Sequence, residues 1–75
     1  MKGVITMKLS ARNQFKGKIT SIQDGAVNGI VTIDIGGGNV ISATISMNAI
    51  KELGLQVNKE ACAVIKSTSV MVGVD

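Results

Sequence analysis

The chain has 75 residues, with eight Lys or Arg against five Asp or Glu and a net charge of +3. That length holds one domain and excludes a multidomain enzyme. With no His and a single cysteine, Cys62, one chain has too few ligands for a zinc, haem or iron–sulfur centre. His-based acid–base catalysis is excluded on the same ground, and no two carboxylates fall close enough in sequence to argue for an acid/base pair, so no enzyme is expected. The lone thiol cannot close an intrachain disulfide, which fits a reducing cytoplasm. Cys62 lies in the apolar run Ala61–Ile65 and reads as a small core residue.

Ten isoleucines and nine valines against three leucines make the composition that of a mainly β protein. No apolar stretch approaches the ~18 residues of a membrane-spanning helix, and the N-terminus has too short an apolar core for a signal peptide. Residues 1–6 read as a short extension before a domain spanning 7–75, or as residues preceding a true start at Met7.

Five of the eight basic residues (Lys2, Lys8, Arg12, Lys16 and Lys18) fall in the first 18 positions, and the first carboxylate is Asp24. Such a segment attracts anions. A first strand is predicted over 15–22, closed by Gln23-Asp24-Gly25 with the Asp-Gly pair favouring positive φ. A second follows over 26–35, with Val27, Val31, Ile33 and Ile35 on one face and Asn28, Thr32 and Asp34 on the other. Gly36-Gly37-Gly38-Asn39 lacks the Gly-Lys-Ser/Thr and helix of a phosphate loop, so it reads as a hairpin turn.

A third strand over 40–45 sets Ile41, Ala43, Ile45 and, just beyond it, Met47 against a hydroxyl row of Ser42, Thr44 and Ser46. A short helix over 47–53 follows, with Ser46 or Asn48 as its cap, Ala49, Ile50 and Leu53 as its apolar stripe, and Gly54 after its last turn. Strands over 60–66 and 69–74 complete the series. The fold expected is therefore mainly β: an OB-like, five-stranded small barrel with one short helix between the third and fourth strands. So small a core beside 45% apolar residues points to faces covered by other copies.

An OB-type barrel invites a nucleic-acid reading, but Phe15 is the only aromatic residue and gives no stacking track. Two segments carry more chemistry: Ser10-Ala11-Arg12-Asn13-Gln14 and Lys66-Ser67-Thr68-Ser69. Each sets a cation beside hydroxyls and turn amides, the partner set of a compact oxyanion. Ordinary turn chemistry with capping hydroxyls explains the same residues and stays open on composition alone.

The run Met7-Lys8-Leu9-Ser10-Ala11-Arg12-Asn13-Gln14-Phe15-Lys16-Gly17-Lys18 resembles the opening signature of the molbindins, the Mop-like proteins related to the TOBE domain. Ile45-Ser46, Glu52-Leu53-Gly54-Leu55 and Ala63–Met71 are similar to the family's later landmarks. The resemblance implies a cytoplasmic binder of molybdate, and of tungstate, serving molybdenum storage or homeostasis. It also implies a homo-oligomer, a hexamer built as a trimer of dimers, with anions held between subunits and neither nucleic acid nor membrane as partner. By the same resemblance Ser10, Ala11, Arg12, Asn13, Lys66 and Ser67 line the anion site from one subunit, and Ser46 joins from a neighbour. Arg12 and Lys66 would neutralise the dianion, Ser10, Ser46 and Ser67 would donate hydroxyl hydrogens, and backbone amides near Ala11 and Asn13 would complete the shell. Lys16 and Lys18 would set the field. Ala49 departs from relatives that carry serine there. The alternatives are an OB-type nucleic-acid-binding module and a purely structural oligomerisation module.

Overall fold

A computed structural model describes residues 9–75; the extension 1–6, the Met7 start, Lys2 and Lys8 lie outside the described residues. Four strands, β1 (Asn13–Gln23), β2 (Asn28–Gly36), β3 (Asn39–Ser46) and β4 (Glu60–Ile65), form one antiparallel sheet in the order β3-β2-β1-β4. The helix α1 (Met47–Glu52) connects β3 toward β4, and a single 3-10 turn (Ser67–Ser69) follows β4.

β1 holds the sheet together because it is long enough to serve two partners. Its first half pairs with β4, from Asn13↔Ile65 to Lys18↔Glu60, and its second half pairs with β2, from Lys18↔Asp34 to Gln23↔Ile30. A register shift between Ile19 and Ser21 marks a bulge in β1. Bulges sharpen the right-handed twist, and here the sheet curls into a half-barrel around its inward side chains. Ile19, Val31, Ile33, Ile50 and Ala63 are buried there, with Ile22, Ile35, Ile41, Ile45, Met47 and Leu55 packed against them.

The helix is set by its ends. Ser46 is the N-cap, its Oγ accepting the Ala49 amide at 3.0 Å, so Ser46 rather than Asn48 takes that role. At the other end Gly54 adopts φ +64, its amide donates to the Lys51 carbonyl, and the Leu55 amide donates to the Ile50 carbonyl. These two bonds make a Schellman closure, which needs a residue tolerant of left-handed backbone. Gly29 admits the helix against β2: a Cβ there would lie 2.7 Å from Ile50 Cδ1 and 2.9 Å from Met47 Sδ.

Several expectations are corrected. Among the described residues four strands form, not five: residues 70–75 carry no strand, although Val70, Val72 and Val74 alternate in sequence with Met71 and Gly73. Beyond the 3-10 turn they lie on no sheet edge of their own chain, and a strand exists only where a neighbouring backbone takes its N–H and C=O groups. Val72 and Val74 are left 89% and 93% exposed.

Val27 precedes β2 and is exposed, its carbonyl accepting the Met47 amide. Leu53 is the helix C-cap and also exposed, so Ile50 is the helix's buried residue. Gly25 is not among the glycines with positive φ; a Cβ at that position would meet the Asn28 carbonyl, so space and not handedness requires glycine. Cys62 is half-buried on the outer face, opposite Lys16, while Ala63 takes the core position.

Candidate functional site

The two chemistry-bearing segments flank one corner of the sheet. β1 begins at Asn13 and β4 ends at Ile65, and these residues are ladder partners. The chain entering β1 (Ser10, Ala11, Arg12) and the chain leaving β4 (Lys66, Ser67) are therefore neighbours, although more than 50 residues separate them. Asn13 joins them directly. Its side-chain Nδ2 donates to the Ile65 carbonyl at 3.3 Å and lies 3.4 Å from Ser67 Oγ. Asn13 is thus a side-chain link between the segments as well as a source of a backbone amide.

Ser67 opens the 3-10 turn, with Lys66 as its N-cap; the Ser69 amide donates to the Lys66 carbonyl and the Val70 amide to the Ser67 carbonyl. These bonds use carbonyls, and the Ser67 oxygen accepts from Asn13, so the Ser67 hydroxyl hydrogen and the Lys66 ammonium at the start of the turn remain able to donate to an anion. Arg12, Lys66, Ser10 and Ser67 are all exposed, and Ala11 and Asn13 are half-buried. The corner therefore offers two cations and two hydroxyls, a donor set that suits a tetrahedral dianion, while the Asn13 side-chain amide is spent on joining the two segments.

Ser46 stands elsewhere. It pairs with Asn28 at the end of β3, and β2 begins beside the C-terminal end of β1. Ser46 and Asn13 thus occupy opposite ends of the same sheet, and one chain does not bring them together. The Ser46 oxygen accepts the Ala49 amide, yet its hydroxyl hydrogen remains available to donate. Ser42 and Thr44 share its outward face, opposite Thr32 and Ile30.

Sequence reading assigned no role to Gln14, whose Nε2 donates to the Ala11 carbonyl at 2.8 Å. Its only sequence signal is its place at the end of the Ser-Ala-Arg-Asn run. Lys16 and Lys18 are exposed on the outer face of β1, with Lys18 flanked by Asp34 and Glu60 across the ladders. Among the described residues no group of three or more Cys, Asp or Glu is placed to hold a metal ion, and no helix is long and apolar enough to cross a membrane.

This sheet, helix and motif arrangement has known counterparts. The TOBE domain model matches residues 9–72. A probable molybdenum-pterin-binding protein of Haemophilus influenzae is 68% identical over 69 residues, covering 92% of this chain and all of that protein. The solved structure of MopII from Clostridium pasteurianum superposes with a TM-score of 0.84 at 43% identity, over 89% of this chain and all of that one. The cytoplasmic molybdate-binding protein ModG, solved with molybdate bound, gives a TM-score of 0.87 at 42% identity over 92% of this chain and 49% of its own. The chain belongs to the molbindin family of Mop-like, TOBE-related proteins. The Haemophilus influenzae relative and ModG are both named for binding.

Proposed function

We propose that this chain binds molybdate as the bare oxyanion and serves molybdenum storage or homeostasis in the cytoplasm, with tungstate as a ligand of the same charge and shape. Ser10, Ala11, Arg12, Asn13, Lys66 and Ser67 of one copy form most of each site, and Ser46 of another copy completes it. The observation that carries this reading is the Asn13 link, which gathers two distant oxyanion-type segments at one corner of the sheet. The ModG relative, described as cytoplasmic and solved with molybdate, supports the ligand and the compartment.

Assembly is part of the same reading, and the hexamer implied by the family resemblance is its proposed form. Five apolar residues are buried among those described, whereas Val27, Val40, Leu53, Val57, Val70, Met71, Val72 and Val74 are at least half exposed. An apolar groove of about 640 Å³ runs between the free edges of β3 and β4, floored by Val31 and Ile33. Open edges of this kind accept an extended segment from another chain. The alternating segment 70–74 of a neighbouring copy has the chemistry to fill it.

Calorimetric titration of the assembled protein with molybdate in excess sulfate tests the ligand. Saturable heat that survives sulfate is expected, because donors spaced for the larger anion leave some unpaired around sulfate. No heat from a properly assembled oligomer would overturn the reading and direct attention to single-stranded nucleic acid or protein partners.

A further inference from the structure

Gln14 is the second residue of β1, with its main chain held opposite Val64 in the ladder to β4. Its side chain reaches back off this strand and donates from Nε2 to the Ala11 carbonyl at 2.8 Å. Every peptide bond described is trans. In a trans unit the carbonyl oxygen and the N–H of the next residue point in opposite directions. Holding the Ala11 carbonyl toward Gln14 therefore turns the Arg12 amide to the other side of the chain.

One residue further on, Asn13 is tied to Ile65 and Ser67. Arg12, which carries the charge of this segment, is thus fixed on both flanks by side-chain amides, although it lies in no strand or helix. We propose that Gln14 is a positioning residue for oxyanion recognition: its amide clamps the Ala11–Arg12 peptide so that the Arg12 amide points in a fixed direction and the Arg12 side chain leaves from a fixed backbone. This inference rests on residues 10–13 being the oxyanion segment. Its consequence concerns selectivity. Fixed donors discriminate anions by size, whereas donors that can follow the anion inward do so less.

Gln14→Met keeps the length of the side chain and removes its donor. In the full assembled protein, molybdate affinity is expected to fall about three- to tenfold, the worth of one hydrogen bond. The preference for molybdate over sulfate should fall with it, while the melting midpoint and assembly mass stay unchanged. Gln14→Lys returns a donor to the same carbonyl and should restore the preference at high salt, where its added charge is screened. Backbone order parameters at Ala11 and Arg12 in the anion-free protein should drop in Gln14→Met.

Unaltered order parameters would overturn the clamp even if the wild-type protein binds molybdate. Equal losses for both anions accompanied by a lower melting midpoint would also overturn it, leaving Gln14 as a stabilising residue only. If the wild-type protein binds no oxyanion, the functional reading falls and the recognition role falls with it, whatever the order parameters show.

Discussion

Arg12→Ala is expected to weaken molybdate binding by about ten- to a hundredfold, which in a calorimetric titration reads as a near loss of heat. A guanidinium offers charge and a planar set of donors to the oxyanion, and hydrogen bonds to charged groups are worth roughly 1.5–3 kcal/mol each. The fold should not notice. Arg12 is exposed, precedes β1, and packs nothing into the half-barrel core, so the substitution belongs with surface changes within about 0.5 kcal/mol. Arg12→Lys should fall between the two, since an ammonium keeps the charge and loses the fork. Parent-like affinity in a folded, assembled Arg12→Ala protein would remove the proposed site.

The second large effect is on assembly. Val72→Asp should reduce the solution mass to smaller species at micromolar protein, with the β-sheet circular dichroism of the chain retained. Val72 is 89% exposed in the single chain, so in isolation an aspartate there costs almost nothing. In the proposed assembly it enters an apolar groove, where burying a valine is worth roughly 1.5–3 kcal/mol and burying an unpaired carboxylate costs considerably more. Because each site needs Ser46 from another copy, molybdate binding should weaken together with the loss of mass. An unchanged mass would show that segment 70–74 is not buried between copies.

Features encoded within a few residues were legible in the sequence. The alternations in 26–35 and 40–45 gave two strands, observed as Asn28–Gly36 and Asn39–Ser46, and their faces apart from Val27, and the Ser46 cap and Gly54 stop bracketed a helix whose observed end, Glu52, is one residue short of that expected. Features that depend on which neighbour a segment meets were not. Alternation in 70–74 reports two faces but no partner, which is why a fifth strand was expected where one chain forms none. Leu53 fits the helical stripe, yet the helix ends beneath it. The demand for glycine at Gly29 comes from Ile50 and Met47, far along the chain.

The site divides along the same line. The Ser-Ala-Arg-Asn and Lys-Ser segments stand out by residue type, and family resemblance associates them with one anion. Their meeting depends on the β1–β4 register and on the Asn13 side chain, and neither is written in local spacing. The placement of Ser46 at the far end of the sheet follows from the β2–β3 register in the same way.

A site shared between copies is the central claim, and complementation in mixed oligomers tests it most directly. Arg12→Ala chains supply Ser46, and Ser46→Gly chains supply Arg12; glycine at an N-cap costs the helix only a few tenths of a kcal/mol. The two chains, unfolded together in equal amounts and reassembled, are then titrated with molybdate. Shared sites predict that about a quarter regain parent affinity, the product of two independent halves, although neither variant alone shows that class of site. A mixture that behaves as the sum of its two components, with no parent-affinity class, would place the whole site within one chain and contradict the account.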